Sequence, residues 1–309
     1  MSEGDPVGRS RAGVRFGFVV LNFVNYDDTI ACVKSILKVN AVENYPIVVV
    51  DNASQNDSFS HLQREFRNTP CVNILLNESN GGYSVGNNRG IRFLREIGVE
   101  NVIIATNDTE VISDNFLCAL GSVNLTGVGV VGFDVITPNG EHQNPSMSEL
   151  TLLYILNLHF YEATKKIRGF LYRFFPALER RRKLFVAEAI HKLTEESGAR
   201  KGARKVYMLH GCFLVLTGNY ISTIGLLDEG LFMYGEEDLI SWACHQRGLI
   251  RLYLPEVSVL HKDAKATKTV HGSNREKFVS EKISLSKMYL SQRIRLWPLM
   301  ITLLRGVRN

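Results

Sequence analysis

Asp108 belongs to the first of four groups of residues in this chain whose types and spacing could do chemistry. It lies in the stretch ATNDTEV (105–111), where Asn107 and Thr109 flank it. A hard divalent cation such as Mg²⁺ or Mn²⁺ prefers oxygen ligands and is commonly held by one or two carboxylates together with substrate phosphates. One carboxylate is therefore enough for a metal site here. The same residues suit a helix cap ahead of residues 110–123 equally well.

Three adjacent carboxylates form the second group, in the stretch FMYGEEDLISWACHQRG (232–248). Glu236, Glu237 and Asp238 open a predicted amphipathic helix, where one of them could act as a general base on an incoming hydroxyl. Acidic residues also stabilise a helix N-terminus through its dipole. Three in succession exceed what capping requires, so we favour a catalytic role.

The third group is the glycine-rich stretch SNGGYSVGNNRG (79–90), which we predict to be a loop entering a helix at residues 86–98. Glycine permits close backbone approach, and the amides at a helix start can hold an anion such as pyrophosphate. The spacing differs from the dinucleotide-binding GxGxxG pattern, and a plain glycine-rich turn is the alternative. The fourth group is His261, a structural histidine unless a metal lies nearby.

Strands alternating with helices must position these groups. We predict strands at 16–23, 46–54, 72–77 and 101–108, helices at 27–39 and 58–66, and a loop entering a helix at 86–98. Strands that are apolar on both faces predict a mostly parallel sheet flanked by helices, an α/β fold that binds ligands beyond the carboxyl ends of its strands. Several polar residues should therefore converge on one crevice, although turn chemistry explains each one separately: Asn22, Asp51, Asn52, Asn77 and Asp108.

The chain divides into three parts. We predict a flexible N-terminus over residues 1–15, a single domain over 16–261 and a basic helical extension over 262–309. The domain is interrupted by a basic, aromatic and helical insertion at 148–204, after which the sheet pattern returns. Five scattered cysteines without a CxxC pair indicate reduced, mostly buried thiols.

Charge is unevenly distributed along the chain. The net charge is +5, but residues 162–205 and 262–309 carry +8 each. A basic face could meet nucleic acid, anionic lipid or a phosphorylated substrate, or it could be a solvated surface without a partner. We expect no nucleic acid, because the chain has neither an RNP-type aromatic signature nor zinc-finger spacing.

Residues 278–304 mix apolar and basic side chains in a pattern suited to an anionic bilayer surface. The alternative is a helix that packs on its own domain or on a second subunit of a homo-oligomer. No stretch approaches the length of a membrane span, and the first fifteen residues lack the apolar core of a secretory signal. We therefore expect a cytoplasmic location, peripheral on the inner face of the cell membrane.

Six stretches, taken in order, resemble the family 2 glycosyltransferases of the GT-A fold, especially the bacterial rhamnosyltransferase-like branch that builds surface polysaccharides. They span residues 16–261 apart from the insertion: VVLNFVNYDDTIACVKSIL, IVVVDNASQNDS, NESNGGYSVGNNRGI, ATNDTEV, GCFLVLTGNYISTIGLLDEGLFMYGEEDL and RGLIRLYLPEVSVLH. The resemblance implies a nucleotide-diphosphate sugar donor (a UDP- or dTDP-sugar), Mn²⁺ or Mg²⁺ as cofactor, and inverting transfer to a glycan acceptor. With the basic segments, it suggests a lipid-linked acceptor.

The resemblance also assigns roles by position. Asp108 matches the metal carboxylate, His261 the histidine that completes the metal shell, and Glu237 the catalytic base, with Glu236 and Asp238 beside it. The implied donor-binding residues include Asp51 at the nucleotide base: Asn22, Phe23, Asp51, Asn52, Ala53, Asn80, Gly81, Gly82, Gly86, Asn87 and Asn107.

Three departures leave questions open. Val24, the pair Ala105 and Thr106, and Leu239 stand where the family usually has other residues, and Leu239 replaces a second aspartate after the acidic triplet. The base is therefore open between Glu237 and Asp238. A sugar-nucleotide-forming nucleotidyltransferase and a non-catalytic partner in a polysaccharide-assembly complex remain as alternatives.

Overall fold

The structure, a computed structural model, describes residues 16–39, 45–147, 149–150, 202–262 and 275–294, and single residues at 154, 167, 170, 175 and 177. The predicted N-terminal segment, nearly all of the predicted insertion and much of the C-terminal extension lie outside the described residues. Their boundaries and their helical character stay predictions. No helix among the described residues is long and apolar enough to cross a membrane.

The helices and strands of the described residues follow the predicted alternation in the first third of the chain. Their bounds are β1 (Phe16–Asn22), α1 (Tyr26–Lys38), β2 (Ile47–Asp51), α2 (Ser58–Phe66), β3 (Val72–Leu76), α3 (Gly82–Glu96), β4 (Asn101–Thr106), β5 (Thr109–Val111), α4 (Phe116–Ser122), β6 (Val128–Ile136), β7 (Arg204–Val206), β8 (Phe213–Leu216), α5 (Gly218–Thr223), α6 (Glu236–Gln246), β9 (Ile250–His261) and α7 (Arg275–Arg293).

All nine of these strands form one sheet, in the order β3-β2-β1-β4-β8-β6-β9-β5, with β7 paired to β9. Strands β1 to β4 are parallel to one another, as are β6 and β9, whereas β8 runs antiparallel between β4 and β6. Side chains of β1 alternate between two cores: Phe18 and Val20 pack with α1, α2 and α4, and Val19 packs with α3, α5 and α6. The predicted α/β fold with a mostly parallel sheet flanked by helices is confirmed.

The predicted loop ahead of α3 is wrong for most of its length. The helix begins at Gly82, so much of the glycine-rich stretch lies inside the helix instead of forming a loop before it. Glycine is needed there because the helix packs closely on β1. A Cβ at Gly86 would lie 2.4 Å from Leu21 Cδ1, and one at Gly90 would lie 2.5 Å from Val19 Cγ1.

Helix α7 packs on the segment that leads into α6. Leu290 and Ile294 are buried in a small apolar cluster with Leu231, Leu239 and Trp242. A Cβ at Gly235 would lie 2.2 Å from Ser286 Oγ, so the backbone just before α6 packs closely against a side chain of α7. Within residues 275–294 the structure therefore shows packing on the chain's own domain, while Leu285 and Met288 remain exposed.

Candidate active site

The carboxyl ends of β1 and β2 form a buried polar network. Asn22 donates from Nδ2 to Asp51 Oδ2 at 2.6 Å and accepts from Thr29 Oγ1 at 2.6 Å. Asp51 Oδ1 accepts from the backbone N–H of Ser54 at 2.8 Å. The neighbouring Ala53 has φ of 58°, a left-handed conformation that costs free energy for a non-glycine residue. Hydrogen bonds connect this network to the ends of the neighbouring strands.

Asn52 links β2 to the start of α3. Its Nδ2 donates to Asn80 Oδ1 at 2.8 Å and to the carbonyl of Gly82 at 3.0 Å. Gly82 has φ of +83°, and a Cβ there would lie 1.9 Å from the carbonyl oxygen of Phe232, so only glycine fits. Gly82, Gly86 and Asn87 are buried, whereas Asn80 and Gly81 are half-buried, as is Phe23 after β1.

Asp108 lies in the turn between β4 and β5 and does not cap a helix, since α4 begins only at Phe116. The helix-cap alternative is therefore wrong. Antiparallel pairing of β5 with β9 sets Thr109 opposite His261, and the backbone N–H of Lys262 donates to the Asp108 carbonyl at 2.8 Å. This register brings together two residues that are 153 positions apart, with His261 Nε2 3.5 Å from Asp108 Oδ2.

Asn107 connects this turn to the first strand end. Its Nδ2 donates to the carbonyl of Asn25 at 2.9 Å and to Thr29 Oγ1 at 3.1 Å. Because Thr29 also donates to Asn22, the ends of β1, β2 and β4 belong to one hydrogen-bonded edge of the sheet. The predicted convergence of strand-end polar residues is therefore present in the structure.

Two hydrogen bonds prepare Asp108 and His261 for a cation. Thr106 Oγ1 donates to Asp108 Oδ1 at 2.7 Å, and His261 Nδ1 donates to Gln143 Oε1 at 2.7 Å, which leaves His261 Nε2 facing the carboxylate. Burial alone would raise the pKa of Asp108. The hydrogen bond and charge of His261, with the hydrogen bond from Thr106, outweigh burial and lower the pKa, so the carboxylate is ionised at neutral pH.

The donor set of these two residues fits a divalent metal ion. Two ligands that are each about 2.1 Å from the same ion lie about 3 to 3.5 Å apart, which matches the separation of Asp108 Oδ2 and His261 Nε2, 3.5 Å. Gln143 fixes the imidazole through its other nitrogen, which is the usual outer-shell partner of a metal-bound histidine.

Glu237, at the start of α6, faces the segment that precedes β8. Its Oε1 accepts from the backbone N–H of Gly211 at 3.1 Å, and the carbonyl of the same residue accepts from Tyr83 OH at 2.6 Å. Cys212, the next residue, lies within the electrostatic reach of both Asp108 and Glu237. The segment 210–212 therefore lies between the candidate base and the candidate metal ligands.

The other two carboxylates of the triplet have different surroundings. Glu236 has an enclosed Oε2 atom without a hydrogen-bond partner among the described residues, and burial with the charge of Glu237 raises its pKa to about 8. Asp238 is buried against α7, with its Oδ2 atom 3.8 Å from Lys287 Nζ. Burial raises the pKa of Asp238 although Lys287 opposes this. Of the three, Glu237 is the one that contacts the 210–212 segment.

Sequence reasoning missed the residues that support these groups. Gln143 and Asn144 follow the Pro-Asn-Gly turn, and the second of them accepts from the backbone N–H of His210 at 2.7 Å. His210, Cys212 and His261 offer ligand atoms that all lie within 4.8 Å of one another. The spacing His-Gly-Cys at 210–212 was a signal, but only the pairing of β8 with β4 and of β9 with β5 reveals its place beside Asp108.

Comparison with known families gives one match. The family model described as Glycosyl transferase family 2 matches residues 18–181, more than half of the chain. The matched region contains Asn22, Asp51, the glycine-rich stretch and Asp108, and it ends before Glu237 and His261. No curated protein sequence matches the chain at a significant level.

Several solved structures share the fold. GalNAc-T7 with UDP, GalNAc and Mn²⁺ superposes with a TM-score of 0.54 at 15% identity, covering 82% of this chain and 44% of its own. The mannosyltransferase PcManGT from Pyrobaculum calidifontis in complex with GDP-Man and Mn²⁺ gives 0.51 at 14% identity, covering 89% and 69%. S. aureus TarS 1–349 in complex with UDP-GlcNAc gives 0.53 at 14%, covering 87% and 66%. The chain thus spans less than half the length of GalNAc-T7.

Proposed function

The chain belongs to glycosyl transferase family 2, and from this premise we propose that it moves a sugar from a nucleotide-diphosphate sugar to a hydroxyl group of a glycan acceptor with inversion at the anomeric carbon. The observation that carries the proposal is the position of segment 210–212, which separates Glu237 on one side from Asp108 and His261 on the other. The base on one side of this segment can act on the attacking hydroxyl, and the metal-binding pair on the other side can act on the leaving nucleoside diphosphate of the same displacement.

The donor nucleotide would lie along the ends of β1 and β2. Asp51 holds its carboxylate between Asn22 and Ser54, and Asn52 binds Asn80 in the segment just before α3, where Asn80 and Gly81 are half-buried. The solved structures of similar fold contain UDP, GDP-Man or UDP-GlcNAc. We propose a UDP- or dTDP-sugar for this chain, with a hexose or rhamnose as the sugar.

Asp108 and His261 would hold Mn²⁺ or Mg²⁺. When bound, the ion would neutralise the negative charge that builds on the departing nucleoside diphosphate. Asp108 contributes an ionised carboxylate, which Thr106 orients, and His261 contributes Nε2, which the hydrogen bond from Nδ1 to Gln143 keeps directed at the carboxylate.

Glu237 would remove the proton from the acceptor hydroxyl as that oxygen attacks. The hydrogen bond from the Gly211 N–H holds one carboxylate oxygen, and Tyr83 OH donates to the carbonyl oxygen of the same residue. A positioned general base contributes about 10² to 10⁴ in rate. Asp238 faces Lys287 and the buried side of α7 instead, so we assign the base to Glu237.

Replacement of the metal carboxylate tests the proposal. We expect Mn²⁺ to increase the thermal stabilisation that UDP-, dTDP- or GDP-sugars give the wild-type protein, because binding to the folded state raises apparent stability by mass action. Asp108→Asn should remove this gain, whereas Asp114→Asn, an exposed aspartate in the following loop, should retain it. Equal stabilisation in excess EDTA and in added manganese would contradict the proposal. Binding without transfer to any acceptor would favour a non-catalytic partner.

For the acceptor, we propose a lipid-diphosphate-linked glycan in the synthesis of a surface polysaccharide. Support comes from the basic residues of the C-terminal extension and from Lys282 of α7, whose Nζ atom lies 4.6 Å from the ring centre of the half-exposed Phe232 in the segment before Glu237. Vesicle flotation tests the membrane component: the protein should float with anionic vesicles at low salt and float less at high salt. No binding in either condition would favour an acceptor free in solution.

A further inference from the structure

Lys282 is a cation of α7 that contacts two aromatic rings. Its Nζ atom lies 4.6 Å from the ring centre of Phe232 and 5.4 Å from that of Phe278, one helical turn earlier in α7. Both distances are within the range in which an aromatic ring attracts a cation. Because the two rings come from different parts of the chain, they hold the ammonium group where α7 meets the segment that leads into α6.

Lys282 differs from two other cations of the same helix in its lack of an anionic partner. Lys287 Nζ lies 3.8 Å from Asp238 Oδ2, and Arg293 Nη2 lies 3.4 Å from Asp228 Oδ2. Among the described residues no carboxylate pairs with Lys282, although its side chain is half-buried. Aromatic rings compensate only part of the cost of withdrawing an ammonium group from water. A negatively charged ligand would therefore be stabilised at this position.

Exposed apolar side chains continue the surface on which this cation lies. Phe278, Lys282 and Leu285 recur at helical spacing and share one face of α7, and Met288 follows one turn after Leu285. Leu285 and Met288 are both half exposed, and Phe232 is exposed beside the ammonium group. A cation next to exposed hydrocarbon is complementary to a ligand that has an anionic group on an apolar chain.

The segment that carries Phe232 connects this cation to the candidate active site. The carbonyl oxygen of Phe232 accepts from the backbone N–H of Tyr83 at 2.9 Å, at the start of α3. Glu237 follows Phe232 by five residues, so their Cα atoms are at most about 18 Å apart. A glycan of a few sugar residues can span such a distance. The cation and the proposed base can therefore contact two ends of one acceptor.

We propose that Lys282 binds the diphosphate of the lipid-linked acceptor, with the hydrocarbon chain along Leu285 and Met288 and the glycan directed towards Glu237. The inference rests on the proposed function, because the acceptor belongs to that reaction. An ammonium group offers three N–H donors, and charge-assisted hydrogen bonds to phosphate oxygens are among the strong ones. Since Phe232 already restricts the lysine side chain, binding costs less conformational freedom.

Calorimetric titration with farnesyl diphosphate in excess EDTA tests the inference. This probe carries a diphosphate on a hydrocarbon chain, and EDTA removes the divalent ions through which a diphosphate would bind at Asp108 and His261. We expect Lys282→Ala to bind the probe about 10- to 100-fold more weakly than the wild type, as hydrogen bonds to charged groups support. Lys282→Arg keeps the positive charge and should lose less. The matched control is Lys277→Ala, an exposed lysine about 140° further round the same helix, which should bind the probe as the wild type does.

Several outcomes would overturn the inference. A wild-type protein that does not bind farnesyl diphosphate in EDTA, or a Lys282→Ala variant that binds it as tightly as the wild type, would do so and leave metal-dependent donor binding intact. Asp108→Asn should bind the probe as the wild type does. An equal loss in that variant would place the probe at the donor site and also refute the role of Lys282. Failure of the proposed function itself is recognised separately, by sugar-nucleotide binding that does not respond to Mn²⁺.

Two simpler probes test the two parts of the ligand on the same proteins. Inorganic diphosphate should bind more weakly than farnesyl diphosphate, because it lacks the chain that contacts Leu285 and Met288. Farnesol lacks the anion, so the wild type and Lys282→Ala should bind it alike. Equal affinity of the wild type for inorganic and farnesyl diphosphate would refute the proposed path of the hydrocarbon chain.

Vesicle flotation distinguishes the acceptor diphosphate from the headgroups of the bilayer. Lys282 is one of many basic residues in the C-terminal extension, so Lys282→Ala and the wild type should float to a similar extent with phosphatidylglycerol vesicles at low salt. If Lys282→Ala lost flotation but kept its affinity for farnesyl diphosphate, Lys282 would bind lipid headgroups and the inference would be wrong.

Discussion

The two sides of the crevice use carboxylates in opposite electrostatic states. On the side of β4 and β9, Asp108 has a lowered pKa, because the hydrogen bonds and charge of its neighbours outweigh its burial. At the start of α6, Glu236 has a pKa raised to about 8, because its burial is reinforced by the charge of Glu237. The neighbouring groups of an acidic residue therefore determine its pKa, whereas its position in a sequence motif does not.

The difference comes from how each side is built. Asp108 lies in the turn between β4 and β5. Thr106, at the end of β4, donates to one of its carboxylate oxygens, and the pairing of β5 with β9 places His261 beside the other. The triplet lies on a helix, where consecutive residues point in directions about 100° apart, so three similar side chains meet three surroundings. Glu237 meets Gly211, and Asp238 meets Lys287 of α7.

The largest expected effect separates Glu237 from Asp238. Both substitutions, Glu237→Gln and Asp238→Asn, remove one negative charge and almost no volume. We expect Glu237→Gln to lower kcat by about 10² to 10⁴, because the acceptor loses its base, while donor affinity stays near the wild-type value. Asp238→Asn should turn over close to the wild-type rate, since its side chain contacts α7.

Steady-state transfer kinetics and donor titrations check this pair, with circular dichroism as the folding control. A large loss of kcat in Asp238→Asn and none in Glu237→Gln would move the base to Asp238. Equal losses of kcat in both variants would mean that Glu237 and Asp238 contribute jointly to catalysis, and the proposed difference between them would be wrong.

A smaller effect is expected on the metal side, at Gln143. The hydrogen bond from His261 Nδ1 to Gln143 fixes the ring, and loss of such a partner weakens metal binding by about 10- to 100-fold. Gln143→Leu should therefore bind Mn²⁺ more weakly, and Gln143→Glu, which keeps an acceptor, should bind it better than the leucine variant. The control is Gln246→Leu, an exposed position at the end of α6.

Titration of Mn²⁺ by paramagnetic resonance measures this effect without any substrate. Unchanged Mn²⁺ affinity in Gln143→Leu would show that the strand register alone orients His261. The orientation of the proposed metal ligands would then depend on backbone pairing between strands, just as the surroundings of the acidic triplet depend on the geometry of α6.

The sequence predicts the strand-end side of this comparison better than the helix side. Asp108, Asn22 and Asp51 could be placed because apolar strand runs are easy to recognise and their carboxyl ends share an edge. The partners that tune them could not be placed, because His210 reaches the crevice through the antiparallel pairing of β8 with β4, and Gln143 acts through a hydrogen bond to a histidine 118 positions away. Periodicity carries no information on such register.

The start of α3 shows a second reason for failure. Gly82, Gly86 and Gly90 lower local helix propensity, so the pattern predicts a loop there. Close packing on Leu21 and Val19 and the tight contact with Phe232 outweigh that propensity in the fold. The sequence of α7 is ambiguous in a similar way, because its apolar and basic residues suit a membrane surface as well as a protein surface. The burial of Leu290 in the helix and of Ile294 just after it shows that this part of the chain packs on a protein surface.

A third expected effect concerns stability and tests the raised pKa of Glu236. A carboxyl group whose pKa moves from 4.5 to about 8 on folding keeps a proton that the unfolded chain releases between those values. Its contribution to stability is therefore complete below about pH 4.5 and is lost as pH rises through about 8. Glu236→Gln removes this titration, so the stability of the variant relative to wild type should increase from pH 5.5 to pH 8.5.

Urea denaturation at pH 5.5, 7 and 8.5 measures the difference, and Glu96→Gln, at the exposed end of α3, is the control that should show no such trend. A constant difference between Glu236→Gln and wild type across this range would mean that Glu236 titrates alike in the folded and unfolded chain. Glu236 would then be ionised beside Glu237 at neutral pH, and the α6 side of the crevice would hold two bases where the structure gives one.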